Sequence, residues 1–194
     1  MKTYITSQLA DAVAIFSRMQ NDDALLGKVE AAAKACTDAF NSGKKMLFAG
    51  NGGSAADAQH MAGEFVSRFA FDRPGLPAVA LTTDTSIITA IGNDYGYEKL
   101  FSRQIQALGN PGDIFVAYST SGKSQNIIAA LEEAKNKNLV CIGFTGNQVG
   151  KMSSLCDYLF EVPSSSTPKI QEGHLALGHI LCGLIEREIF KGSE

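Results

Sequence analysis

His60, His174 and His179 are the three histidines of the chain, and each lies beside helical apolar sequence with a carboxylate or an amide close by. In "AQHMAGEF", His60 and Glu64 are four positions apart, which puts them one turn apart on one helix face. A histidine and a carboxylate so placed can share a proton or a metal ion. The same spacing also suits a plain surface pair. The His-Glu-x-x-His order of a helical metalloprotease is absent. Partners are to be sought in "KIQEGHLALGHILCG", where Gln171, Glu172, His174 and His179 punctuate the last helical stretch. Gln171 and His179 are eight positions apart, roughly 80° around a helix, so they flank one side loosely. Gln171 and His174 fit that side about as well, and spacing does not choose between the two histidines.

Two loops have the chemistry to hold an anion. In "GNGGSAAD" a strand end runs into a helix start: Gly50, Gly52 and Gly53 permit close backbone approach, and Asn51 and Ser54 add side-chain hydrogen bonds. An ordinary N-terminal cap reads the same residues as well. In "YSTSGKSQN", Ser119, Thr120, Ser121 and Ser124 gather hydroxyls where a helix leaves its first N–H groups unpaired, a cradle suited to a phosphate monoester. Neither loop is a nucleotide signature, because both Gly-x-Gly-x-x-Gly and the glycine spacing of a P-loop are missing.

The elements that must position these groups follow from periodicity. Helical patterns run from about Ile5 to Met19, Asp23 to Phe40 and Lys169 to Phe190. Strand candidates are Lys45 to Ala49, Ala78 to Leu81, Ile114 to Tyr118, Val140 to Phe144 and Tyr158 to Val162, separated by stretches of crossover length. Runs such as "IFVAYS" are nearly continuous in apolar residues, as strands covered on both faces require. The expected product is an α/β fold: a five-stranded, mostly parallel sheet with helices on each side and extra N-terminal helices. "PSSSTP" falls between the last strand and the last helix, at the strand ends where such folds bind ligands. The last helix carries Leu175, Leu177, Ile180, Leu181, Leu184 and Ile185; with the first two helices it offers more apolar surface than one sheet needs, which points to a helical oligomer interface.

At 194 residues and 45% hydrophobic composition, a single domain spanning 1–194 is expected. A net charge of -3 with no block of either sign gives no reason to expect nucleic acid or membrane as a partner. No apolar window reaches bilayer length and the start lacks a secretory pattern, so a cytoplasmic location is expected. Cys36, Cys141, Cys156 and Cys182 are scattered among apolar neighbours and are read as reduced, mostly buried thiols. Asp57 is positioned either to orient His60 or to cap the helix after Ser54. Lys123 is positioned to assist a phosphate, while Arg68 and Arg73 are read as members of surface ion pairs.

The segments "GNGGSAADAQHMAGEFVSRF", "RPGLPA", "IGNDYGYEKLFSRQ", "STSGKSQNI", "GFTGN" and "IQEGHLALGHI" together resemble the bacterial phosphoheptose isomerases of the SIS-domain class, over essentially the whole chain. The resemblance implies a Rossmann-like three-layer α/β/α sandwich, with the helices of residues 1–42 contributing to oligomerisation. It implies conversion of sedoheptulose 7-phosphate to D-glycero-D-manno-heptose 7-phosphate, for lipopolysaccharide or capsule precursors. It also implies a homotetramer with active sites at subunit interfaces, and zinc held by His60, Glu64, Gln171 and His179. His174 is then no primary ligand. The substrate is placed against Asn51, Gly52, Gly53, Ser54, Glu64, Asn93, Asp94, Ser119, Thr120, Ser121, Ser124 and Gln171. Glu64 and His179 are the expected proton-transfer groups of an enediol mechanism. The other reading open to such a chain is a non-catalytic SIS-domain protein that binds the replication initiator or senses phosphosugars.

Overall fold

The computed structural model describes residues 1–190. Helices α1 (Lys2–Gln20) and α2 (Asp23–Asn41) precede β1 (Met46–Ala49). Asp22 starts α2 by accepting the Leu25 N–H at 3.0 Å, which satisfies one of the unpaired donors of the first turn. Next come α3 (Gly53–Val66), β2 (Ala78–Ala80), α4 (Thr85–Tyr95), a 3-10 turn (Tyr97–Lys99) and α5 (Ser102–Leu108). The chain continues with β3 (Ile114–Tyr118), α6 (Gln125–Asn136), β4 (Val140–Thr145), α7 (Met152–Leu155), β5 (Tyr158–Glu161) and α8 (Thr167–Ile189). Each strand lies within one residue of its expected ends.

The five strands lie in the order β2-β1-β3-β4-β5, and every neighbouring pair is parallel. The sheet is thus wholly parallel rather than mostly so. Alternation along β1 divides the core: Met46 and Phe48 face one side with residues of α1, α2, α3 and α8, while Leu47 and Ala49 face the other with residues of α4, α5, α6 and α7. The result is the three-layer α/β/α sandwich. Strand β1 sits between β2, which follows it, and β3, which returns on its other side. That reversal makes the carboxyl ends of β1 and β3 a topological switch point, where an open parallel sheet leaves a crevice.

The apolar surface of α8 divides between two environments. Leu177, Leu181 and Ile185 are buried in the core, whereas Ile180 and Leu184 remain exposed. Helix α1 buries only Ile15 and Met19 and leaves Tyr4, Ile5, Leu9, Val13 and Phe16 exposed. No helix among the described residues is long and apolar enough to cross a membrane. All four cysteines are free, and burial drives the pKa of each thiol upward, so they are poor nucleophiles.

Candidate active site

The two polar loops meet at the switch point. After β1 the chain turns through Gly52, whose φ of +56° is a backbone conformation that glycine adopts without strain. Gly53 then opens α3 so close to α8 that a Cβ there would run into the amide of Gln171. From the neighbouring strand, Ser119 Oγ and Ser124 Oγ lie 3.0 Å apart across the start of α6. Ser119 and Ser54 are buried, while Thr120 is half-buried and Ser121 is exposed. A cavity of about 100 Å³ opens beside them, lined by Thr120, Ser121, Asn147, Gln148, Ser165 and Thr167. The "PSSSTP" loop therefore reaches the same crevice, as its position in the sequence suggests. Lys123 extends along this rim with its Nζ 3.1 Å from Gln148 Oε1.

A reciprocal amide pair clasps the two loops together. Asn51 Nδ2 donates to Asn126 Oδ1 at 2.9 Å and Asn126 Nδ2 donates to Asn51 Oδ1 at 2.8 Å. Tyr97 Oη adds a third hydrogen bond, donating to Asn51 Oδ1 at 2.9 Å. Both lone pairs of that oxygen and one amide hydrogen are thus engaged, leaving Asn51 one side-chain N–H for a ligand. Tyr97 has no signal in the sequence, because only the fold brings its turn over the β1 loop. Asn93 and Asp94 lie exposed in the last turn of α4, with Asn93 Nδ2 donating to Asp94 Oδ1 at 2.7 Å.

His60, Glu64 and His179 converge where α3 packs on α8. His60 Nε2 is 3.0 Å from Glu64 Oε1 and 3.3 Å from His179 Nε2. One ligand atom from each of the three residues lies within 4.8 Å of the others. Four ligands at about 2.0–2.2 Å around a tetrahedral zinc lie roughly 3.3–3.5 Å from one another. With separations of 3.0 and 3.3 Å and all three donors within 4.8 Å of one another, the N,N,O set is one that could hold a metal ion. The trio stands at the rim, with side-chain exposures of 45% for His60 and 23% for Glu64.

Gln171 lies on α8, eight positions before His179. Its amide lies against Gly53, seven residues before His60 along α3, a helix rise of about 10 Å. His60, Glu64 and His179 thus come together, and the Gln171 amide lies by the start of α3. His174 is fully buried, with its ring packed by Tyr118 and Phe144 and its Nε2–H donating to the Thr145 carbonyl at 3.1 Å. It is a core histidine, and the fold makes the choice between the two histidines that spacing leaves open.

Burial lowers the His174 pKa to about 4, against a smaller opposing pull from the Thr145 carbonyl. The unfolded chain, titrating near 6.5, binds a proton that the folded chain refuses between those values. The His174 contribution to stability is therefore lost as the pH falls from about 6.5 to about 4, in all by about 3 kcal/mol. Asp57, whose carboxyl burial raises to about 6 against the pull of His60, works in the opposite direction across part of this window. The readout is therefore a difference: in urea unfolding at pH 7 and pH 5, His174→Gln should lose less stability on acidification than the parent. Equal losses would refute the assignment.

Two expectations for nearby residues are corrected. Asp57 does not cap α3, since it lies one turn inside the helix and its buried Oδ2 has no hydrogen-bond partner. Arg73 is no surface ion pair. Its guanidinium and the Glu186 carboxylate are each 1% exposed and meet at 2.9 Å. Arg73 Nη2 also donates to the Glu64 carbonyl at 2.8 Å, and Nη1 to the Phe65 carbonyl at 2.6 Å. Glu186 accepts the backbone N–H groups of Phe69 and Ala70 at 2.9 and 2.7 Å. Its burial alone works to raise the carboxyl pKa, but those two N–H groups and Arg73 outweigh it and hold the value below the ordinary one. Arg68 remains exposed.

Known proteins share both this fold and its sequence. A family model described as "SIS domain" matches residues 9–146. The phosphoheptose isomerase of Burkholderia pseudomallei is 68% identical over 188 residues, covering 97% of this chain and 95% of that protein. The phosphoheptose isomerase of Aneurinibacillus thermoaerophilus is 56% identical over 191 residues, covering 98% of this chain and 96% of that one. The solved structure of a phosphoheptose isomerase from Francisella tularensis superposes with a TM-score of 0.91 at 37% identity, covering 95% of this chain and 97% of the other. From its wholly parallel sheet, its paired loops at the switch point and these relatives, the chain belongs to the phosphoheptose isomerase family of SIS-domain proteins.

Proposed function

We propose that this protein is a zinc-dependent aldose-ketose isomerase that converts sedoheptulose 7-phosphate to D-glycero-D-manno-heptose 7-phosphate. The observation that carries the reading is the arrangement of polar groups along the α3/α8 packing. Hydroxyls and helix-start amides lie at one end, and the His60, Glu64 and His179 trio lies about 10 Å of helix further on. An open-chain sugar phosphate has the same polarity, with a dianionic phosphate at one end and the reacting C1 and C2 at the other.

The phosphate is held by the Ser119, Thr120, Ser121 and Ser124 hydroxyls with the first N–H groups of α6. Asn51 offers its one remaining amide hydrogen, the Gly52 and Gly53 backbone and Ser54 line the same loop, and Asn93 and Asp94 meet the sugar hydroxyls. Glu64 takes the C1 proton of the ketose, exchanges it with solvent and delivers a proton to C2, so the carbonyl moves from C2 to C1 through an enediol. One Glu64 oxygen faces the histidines, which leaves the other for this transfer. His179 serves the accompanying exchange of protons between the two substrate oxygens. His60, Glu64 and His179 would hold the zinc, with Gln171 as the fourth ligand. A bound zinc ion would polarise the reacting oxygens and stabilise the negative charge that develops on them.

The reading includes a cytoplasmic homotetramer with the active sites at its subunit interfaces, serving heptose precursors of lipopolysaccharide or capsule. Its support is the unpartnered apolar face of α1 and the exposed Val66 and Ile180, neighbours in sequence of the trio. A second copy over that surface would exclude water from the rim of the site. The convergence of the trio favours catalysis over a purely binding role.

The test is incubation of the purified protein with sedoheptulose 7-phosphate in deuterated water, followed by NMR, with zinc present and after chelation. The mass of the same preparation is measured by light scattering. The expected result is an aldose product labelled at C2, lost on chelation and restored by zinc, from a particle of four chains. A folded tetramer that converts nothing in either metal condition would overturn the enzymatic reading.

A further inference from the structure

We propose that Phe69 and the buried Arg73–Glu186 pair form a brace that positions Glu64 and His179, so that this brace sets the metal affinity of the trio. The inference rests on reading the trio as a metal site. The segment after α3 folds back on itself, and Glu186 of α8 pins it by accepting the N–H groups of Phe69 and Ala70. From that segment the Arg73 fork returns to the last turn of α3, whose carbonyls have no partner within the helix. It binds the carbonyls of Glu64 and Phe65 there, which fixes the backbone from which the Glu64 carboxylate projects.

The same fold-back places the Phe69 ring 5.6 Å from the His179 ring, inclined at 36°. Gly183, one turn beyond His179 on the same face of α8, makes room for it, since a Cβ there would lie 3.2 Å from Phe69 Cε1. His179 is thus enclosed between Phe69 and His60, the latter edge-on at 5.0 Å. One buried ion pair therefore governs two ligands that lie on different helices. A purely structural pair would need only to join α8 to the fold-back, without reaching the carbonyl of Glu64 or setting a ring against His179.

Supporting groups behind metal ligands typically change metal affinity by about 10- to 100-fold when altered. The experiment is a zinc competition titration against a chromophoric chelator, on the full chain stripped of metal, with melting temperatures of the metal-free proteins measured alongside. Phe69→Leu, which keeps an apolar side chain but removes the ring, is expected to weaken zinc binding about tenfold or more. Phe69→Tyr should restore affinity to within about twofold of the parent. Glu186→Gln, which keeps an acceptor but removes the charge, is the second variant and should also weaken zinc. At saturating zinc the activity loss of Phe69→Leu should appear in kcat with KM little changed.

The proposal is overturned if Phe69→Leu and Glu186→Gln both bind zinc as the parent does. It is also overturned if zinc affinity falls only in step with the metal-free melting temperature, since that is a folding effect. A parent protein that takes up no zinc would remove the metal reading itself and this inference with it, an outcome distinct from variants that match a zinc-binding parent.

Discussion

Replacing Glu64 by Gln is expected to lower turnover of sedoheptulose 7-phosphate by about a thousandfold, within the range of about 10² to 10⁴ that a positioned general base contributes. The substitution is nearly isosteric, and the Glu64 side chain is only partly buried, at 23% exposure. Helix α3 keeps its apolar contacts through Ala58, Met61, Ala62 and Phe65, so the fold should survive. A neutral amide retains an oxygen towards His60 but has no basicity near neutral pH, so the C1 proton stays in place. Because the same change removes a charged ligand from the trio, rate alone mixes two effects. Zinc content and deuterium exchange at C1 must therefore be measured on the same sample. A variant that holds zinc and binds substrate but neither exchanges nor isomerises identifies Glu64 as the base. Turnover within tenfold of the parent would remove it from that role.

The parts of this molecule legible in the sequence are those written in local pattern. The apolar run "IFVAYS" is β3 because a strand buried on both faces needs no alternation, and its ends agree with the structure. "GNGGS" and "STSGKS" announce helix starts because glycines and hydroxyls are local requirements of such turns. Strand order is not local, and nothing in the sequence says that β3 returns beside β1. Yet that adjacency is what joins Asn51 to Asn126 and makes two loops one crevice. His174 and His179 are likewise alike in one dimension. The fold separates them, because the ring of one lies among Tyr118 and Phe144 and the ring of the other meets His60.

Residues that act at long range leave the weakest trace. Arg73 and Glu186 are 113 positions apart, and an arginine between an aspartate and a proline reads as a surface residue. Phe69, in "SRFAF", looks like any apolar residue near a helix end. Both acquire their roles only when the segment after α3 folds back onto α8. The resemblance to known isomerases implies His60, Glu64, Gln171 and His179 as metal ligands, but it says nothing of what holds those residues in place.

Arg73→Ala is expected to destabilise the fold by about 3–5 kcal/mol, because it strands a buried carboxylate without its counter-charge. Glu186 is 1% exposed in its side chain, so water cannot take the place of the guanidinium without opening the core. The Glu64 carbonyl loses its Arg73 donor in the same step, while the Phe65 carbonyl keeps the Leu76 N–H at 2.9 Å. Replacing both partners, as in Arg73→Met with Glu186→Leu, removes the stranded charge and should recover part of the loss. Recovery stays incomplete because the N–H groups of Phe69 and Ala70 then have no acceptor. The pair also has a pH signature. The folded Glu186 pKa lies below its ordinary value, so its contribution is full above the unfolded carboxyl pKa and is lost as the pH falls through the folded one. In urea unfolding at pH 7, Arg73→Ala should move the midpoint by the stated free energy at unchanged slope. A loss below about 1 kcal/mol would mean that the ion pair is replaceable by water and that α3 is held by its apolar contacts alone.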